Sequence, residues 1–370
     1  MKTKKSVVSL ALVTLITALV VSGCSEKKAA ANVSAADAAA DSAADSRKSL
    51  GTLKVVWVPT AMKHTQNNIA QELGFFEEEG VTVEPVVLQN PNDGFTALKL
   101  AKVDVVAVGV TPPLQFISEK SDLTIFGGSA MEGGVIVALP ERVEEFRNLE
   151  NFRGKKYGST RSYTGEYVIR DRLRKLGIVV DRDFTYVDLG SDNVIIQGVV
   201  KGAVDVAYIT ADGVSIAKDM GLEVVLNVAD LDPGYPCCRQ NTTAEVIRNK
   251  RDLLVAYHRA LIRAHKVIYT DRDTTIDIVR KASGQSIAYI ESGIYSKTAS
   301  KLNPAPTRSN LHRFNEYLKQ EGIVKEADIN LDDHINSDIF AEALEDILER
   351  YPGDPTYLEL KEFFEVSEKI

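Results

Sequence analysis

Cysteine is scarce, three in 370 residues, which excludes a small domain held together by disulfides. Beyond the first two dozen residues no run approaches the roughly 18 apolar residues that span a bilayer, which excludes a polytopic membrane protein. Positive charge is not in excess, with 44 Lys and Arg against 52 Asp and Glu. Phosphate backbones are held by clustered cationic surface, so nucleic acid is excluded as a partner. Gly-x-Ser-x-Gly, Walker and Rossmann glycine patterns are all missing. Histidine numbers five; His258 and His265 share one expected helix at i, i+7 without a nearby third ligand, so no metal is expected. What is present is a 44 % hydrophobic content, ordinary for a globular chain and too high for a disordered one. The length allows about two domains of roughly 150 residues.

The amino terminus sets the expected compartment. Met1-Lys2-Thr3-Lys4-Lys5 is cationic, Val7 to Val21 is apolar, and Ser22-Gly23 are small. That order is a secretory signal rather than a permanent membrane helix. Val21-Ser22-Gly23-Cys24 resembles a bacterial lipobox, which implies cleavage before Cys24 and acylation of that residue with fatty acyl chains such as palmitate. Two or more chains anchor stably where one does not. Residues 1–23 are therefore expected as a lipoprotein signal peptide. Residues 24–50, rich in Ala, Ser and Asp, are expected as a flexible tether, because they cannot bury enough surface to order themselves. The expected location is the cell membrane, lipid-anchored, facing the periplasm or the exterior.

From Leu53 the pattern becomes regular. Strands are expected at 53–58, 81–88, 103–108 and 123–126, with helices at 64–73 and 93–101 between them. Thr65 is a plausible N-cap, and Gly74 a helix stop. A second run follows, with helices at 165–176 and 194–201 and strands at 184–189, 204–209 and 222–228. Alternation at this spacing means parallel β-α-β units and open α/β sheets. The halves echo one another: "ALKLAKVDVVAVGV" (97–110) aligns with "VVKGAVDVAYIT" (199–210) through a shared Val-Asp-Val. After residue 229 the pattern turns helical, with helices at 251–269, 275–282, 287–298, 309–321 and 338–349 expected to pack back on the first lobe.

Four strings in order, "ELGFFEEEGVTVEPV" (72–86), "GFTALKLAKVDVVAVGVTPPL" (94–114), "LENFRGKKYGS" (149–159) and "RLRKLGI" (172–178), resemble the sulfonate, taurine, nitrate and thiamine-precursor substrate-binding proteins of ABC importers. The resemblance covers about residues 53 to 270. It implies a type II periplasmic-binding-protein fold, α/β, with two lobes joined by two hinge crossings. Lobe 1 would be 51–139 plus 231–370, and lobe 2 would be 140–230. It also implies a small-molecule ligand, an ABC permease with its ATPase as partners, a monomer, no cofactor and no catalysis.

In open α/β sheets a ligand sits beyond the carboxyl ends of the strands, where helix N-termini offer unpaired N–H groups. That rule selects Thr60, Lys63, His64, Gln89, Asn90, Thr111 and Ser129 in lobe 1. In lobe 2 it selects Arg161, Ser162, Tyr163, Thr164 and Gly165 at one strand-to-helix turn, and Tyr208, Thr210 and Asp212 at another. Cys238 and Arg239 lie near the expected second hinge crossing and complete the candidates. Arg161 and Lys63 suit an anion such as a sulfonate, nitrate or carboxylate. Trp57, Tyr163, Tyr208 and Tyr235 suit a flat heterocycle such as a pyrimidine or flavin. The ligand stays open between these classes.

Two other readings compete. Cys237-Cys238 are adjacent, and an adjacent pair can close a strained eight-membered disulfide ring, so an exported enzyme or thiol-redox protein is one alternative. Thiamine-pyrimidine synthases of the same fold use a histidine and a cysteine-rich motif with iron; His64 and the cysteine pair invite that comparison, and the secretory signal weighs against it. A ligand-sensing lipoprotein is the other.

Overall fold

The computed structural model describes residues 49–88, 90, 92–161, 163–325 and 329–370. The expected signal peptide, nearly all of the tether, Cys24, Gln89 and Ser162 lie outside the described residues. Eleven strands among the described residues form two sheets: β1 (Gly51–Val56), β2 (Val81–Val86), β3 (Val105–Gly109), β4 (Leu123–Glu132), β5 (Gly134–Ala138), β6 (Lys156–Ser159), β7 (Thr185–Asp188), β8 (Val206–Thr210), β9 (Glu223–Asn227), β10 (Pro236–Thr243) and β11 (Ser300–Leu302). The first sheet runs β11-β4-β10-β3-β1-β2, and the second β7-β6-β8-β5-β9. The fold is α/β as expected, two sheets with helices packed on them.

Two departures matter. Both sheets are mixed, not parallel throughout: β10 is antiparallel to β3 and β4, and β5 is antiparallel to β8 and β9. The boundary expected at 139/140 leaves Gly134–Ala138 with the first lobe, yet this strand hydrogen-bonds into the second sheet. The chain therefore crosses at Gly133, six residues earlier than the hydrophobic run 134–139 suggested.

The Val-Asp-Val echo has a physical content. Asp104 and the backbone of Lys54 on β1 exchange two bonds, Asp104 N–H to the Lys54 carbonyl at 2.8 Å and Lys54 N–H to Asp104 Oδ2 at 2.9 Å. Asp205 does the same with Lys156 on β6, at 2.8 Å and 2.8 Å. Each carboxylate also holds a cation from a helical segment, Lys250 at 2.7 Å and Arg142 at 2.6 Å. The same pin fixes strand register in both halves, where a one-residue slip would turn the apolar face outward.

β10 is the centre of the first sheet, and its sequence, PCCRQNTT, is polar. Burial is tolerated because its side chains are bonded. Gln240 Nε2 donates to Ser129 Oγ at 2.9 Å, Asn241 Nδ2 to the Val106 carbonyl at 2.9 Å, and Thr242 Oγ1 to the Asp104 carbonyl at 2.8 Å. Thr243 then caps the long helix Ala244–Thr270 by accepting from Val246 N–H at 3.2 Å. This helix and Asp338–Arg350 cover one face of the first sheet. Glu79, fully buried beneath them, is held by Arg259 at 2.7 Å, Arg263 at 3.2 Å and Arg350 at 2.7 Å. Not all the carboxyl-terminal helices stay on the first sheet. Ile287–Tyr295 packs against the turn Ala211–Gly213 and its following helix, and Arg308–Gln320 against Thr164–Lys175, all on the second-sheet side.

The two crossings touch one another. Glu132 and Gly133 both have positive φ, 58° and 79°. A Cβ on Gly133 would fall 1.9 Å from Ser300 Oγ, so only glycine fits there. The buried Glu132 carboxylate accepts from Gly234 N–H, on the returning crossing, at 2.8 Å, and from Lys301 Nζ at 2.9 Å.

Candidate functional site

Strand ends from both sheets meet around a cavity of about 380 Å³. Val58, Ala61, Lys63 and His64 follow β1; Val108 and Gly109 end β3 and Pro112 opens the helix Thr111–Ser118; Asn92 precedes the helix Asp93–Lys99. From the second sheet come Tyr163, Thr164, Asp192, Tyr208, Thr210 and Asp212, while Gly133 and the pair Cys237-Cys238 line it from the crossings. The volume suits a small solute.

Each wall has a physical basis. Tyr208 lies buried in a slot between two glycines: a Cβ on Gly165 would stand 2.5 Å from its ring, and one on Gly134 2.1 Å from its hydroxyl. Tyr163 meets it edge-on, ring centroids 5.9 Å apart. Asp192 is braced by Thr210, whose N–H and Oγ1 donate at 3.1 Å and 2.5 Å. Burial pushes the Asp192 and Asp212 carboxyls above the usual range. Burial works against a charged Lys63, but Cys237, Cys238 and Asp212 outweigh it and hold the ammonium well above its ordinary value. Burial, reinforced by Lys63, lowers His64 to about 4. His64 is thus a neutral ring, Nδ1 bonded to the Val58 backbone at 3.2 Å, with Nε2 lacking a protein partner.

The cysteines are free thiols, Sγ to Sγ 3.6 Å. The Cys238 thiol, donating to Cys237, together with Lys63 and Arg239, brings Cys237 down to about 6 against the opposing effect of burial. Cys238 moves the other way, because the hydrogen bond to Cys237 favours its protonated form.

Of the sequence-selected residues, Lys63, His64, Tyr163, Thr164, Tyr208, Thr210, Asp212 and Cys238 line this cavity. The others stand elsewhere among the described residues. Thr60 and Asn90 are exposed. Thr111 is buried at the start of helix Thr111–Ser118 with its hydroxyl unpartnered by protein. Ser129 faces Gln240 inside the sheet. Arg161 points outward and pairs with Asp188 at 3.6 Å. Gly165 shapes the wall from behind Tyr208. Arg239 is fully buried, its guanidinium donating to the Ala130 and Cys238 carbonyls at 2.8 Å each and to Thr307 Oγ1 at 2.5 Å. Asp192 was missed, although it follows β7 as the other candidates follow their strands. Gly133 comes from a crossing, where the strand-end rule does not look, and Cys237 stands beside the Cys238 expected at the other crossing. Among the described residues no three His, Cys, Asp or Glu side chains group as a metal site, and no helix is long and apolar enough to cross a membrane.

Comparison with known proteins places this geometry. Residues 61–293 match the family described as NMT1/THI5 like. No curated protein matches in sequence. Among solved structures, a ligand-binding component of an ABC-type import system from Staphylococcus aureus, with zinc bound, superposes with a TM-score of 0.65 at 16 % identity, covering 79 % of this chain and 99 % of its own. The periplasmic aliphatic sulphonate binding protein of Escherichia coli gives 0.65 at 14 %, covering 77 % and 91 %. The periplasmic nitrate-binding protein of Synechocystis PCC 6803 gives 0.64 at 14 %, covering 82 % and 91 %. At these identities the likeness is one of fold.

Proposed function

The chain belongs to the NMT1/THI5-like family, and from that premise we propose that it is the solute-binding component of an ABC importer. It captures one small molecule between its two sheets and delivers it, unaltered, to a permease driven by an ATPase. The observation that carries this reading is the cavity of about 380 Å³ whose walls come from both sheets. A solute touching both walls stabilises the closed arrangement by its difference in affinity between closed and open states. One of the similar structures named above is a ligand-binding component of an ABC-type import system, and the other two are periplasmic binding proteins for sulphonate and nitrate, which supports the same role. The Val21–Cys24 sequence supports anchoring outside the cytoplasm through lipid on Cys24, with the folded body acting as a monomer.

The walls favour a flat, hydrogen-bonding heterocycle over an anion. Arg161, one of two cations that suggested an anion, lies outside the cavity, and the other, Lys63, faces Asp212 and the Cys237 thiol. The Cys237 thiol, brought down to about 6, already balances the Lys63 ammonium against a sulfonate or nitrate, whereas Tyr163 and the Tyr208 edge offer aromatic contact, and Asp192 and Thr210 offer polar partners. A thermal-shift screen of aminopyrimidines and flavins against sulfonates, nitrate and carboxylates tests this. At 100 times its dissociation constant the correct solute adds roughly 2.7 kcal/mol, a rise of several degrees in midpoint. Shifts from the anions alone would reverse the ligand assignment, and no shift from any class with the protein folded would remove the transport reading.

A further inference from the structure

Along a regular strand successive side chains point to opposite faces, so neighbouring thiols on β10 belong on opposite sides of the first sheet. They are not found there. Pro236 pairs with Met131 and Cys238 with Ala130, so two residues of β10 face one of β4 and Cys237 is the residue in excess. This is a bulge, the strand irregularity that re-aims a side chain. It brings Cys237 and Cys238 to the same side with their sulfurs 3.6 Å apart, and both line the cavity. Lys63 reaches the same space, and the buried Arg239 guanidinium, which has no carboxylate partner among the described residues, lies next in sequence. Two cations, a bulge and a second thiol at contact distance are the surroundings in which a thiolate is both formed and resolved.

We propose that Cys237 and Cys238 are a reversible thiol–disulfide site inside the cleft, reacting with disulfides of the low-molecular-weight class. The Cys237 thiolate attacks one sulfur of the disulfide RSSR, forming a mixed disulfide and releasing RS⁻. Cys238 then loses its proton and attacks the Cys237 sulfur, releasing the second RS⁻ and closing the eight-membered ring. The two protein thiols give up two electrons and two protons, and RSSR takes them up to become two RSH. Before oxidation the negative charge of Cys237 stands opposite Lys63; afterwards that charge is gone and the ammonium is left facing the cavity with the two aspartates. Oxidation thereby changes the charge of the space in which a solute would sit. The groups that face Cys237 in this balance are Lys63, Arg239, Asp212, Tyr208, Tyr235 and Cys238.

Trypsin releases residues 219–239 as one fragment, which contains both thiols and not Cys24. The native full chain is incubated with 2-hydroxyethyl disulfide, quenched in acid, alkylated with iodoacetamide and mapped by mass. The expected fragment takes up two alkyl groups before oxidation. After it the fragment takes up none and is lighter by two hydrogens, and dithiothreitol restores the first state. Cys238→Ser halts at a mixed disulfide on Cys237. Two alkyl groups retained in excess disulfide, or a stable mixed disulfide on the unmutated chain, overturn the proposal. The rate of alkylation of Cys237 against pH supplies a second reading, its midpoint near 6 moving upward in Lys63→Met. An unmoved midpoint removes Lys63 from the site. No solute enters either measurement, so failure here leaves the transport reading untouched.

Discussion

His64, His258 and His265 are buried as neutral imidazoles, and burial is the first cause that holds each near a pKa of about 4, below the ordinary 6.5. In the unfolded chain each takes up a proton near 6.5, so between pH 6.5 and 4 the unfolded state binds more protons. Stability contributed by these rings is whole above that window and is lost as the pH falls through it, at most about 1.4 kcal/mol per pH unit for each. Glu166, Asp192 and Asp212, raised by burial, act in the opposite sense above about pH 4. Comparison with a variant isolates the histidine contribution. His265 sits with Nδ1 3.1 Å from the Leu302 carbonyl, far from the cleft. Urea unfolding of His265→Asn and of the parent, at steps from pH 7 to 4, is expected to converge as the pH falls; parallel curves would mean that His265 is protonated in the fold. The same residues mark what a sequence can say of a site. Strand-end position found Lys63, His64 and Tyr208, because backbone direction places those side chains wherever the loops go. It could not tell Arg161 from them, since one rotation of a long side chain decides between cleft and solvent, and here Asp188 decided for solvent.

Among the elements, the Glu132–Gly133 crossing carries an unusual demand, two consecutive positive φ values beside a buried carboxylate. Glu132 ties the outgoing crossing to the returning one through Gly234 N–H at 2.8 Å. Glu132→Ala leaves that N–H unpaired and is expected to cost about 1–3 kcal/mol. Glu132→Gln keeps an acceptor in place and loses only the pairing with the largely exposed Lys301, worth under about 1 kcal/mol. Denaturant titration of both variants distinguishes the two costs, and equal losses would show that charge rather than the hydrogen bond holds the crossings. β1, β3 and β8 were legible because each is a largely apolar, β-branched run bounded by turns, and β2 because its buried and exposed positions alternate. β10 was not, because PCCRQNTT is a buried strand satisfied by hydrogen bonds, and hydropathy does not register satisfied polar groups. The helices Thr111–Ser118 and Pro355–Ser367, not expected from the sequence, each open on proline, which suits the first helical turn.

Taken whole, the molecule is two sheets linked by two crossings, with the carboxyl-terminal helices reaching over both. Under the transport reading, solute binding narrows the angle between the sheets. Small-angle scattering of the protein with the solute found by thermal shift is expected to give a smaller radius of gyration than without it, and identical profiles would mean a rigid receptor. The order of strands in the first sheet carries a further consequence. β3 and β4 are not neighbours; β10 fills the gap between them, and it arrives only after every strand of the second sheet has been made. As the polypeptide is synthesised, the later half can knit itself together while the earlier one waits, its middle missing, for a keystone laid more than a hundred residues downstream of β3.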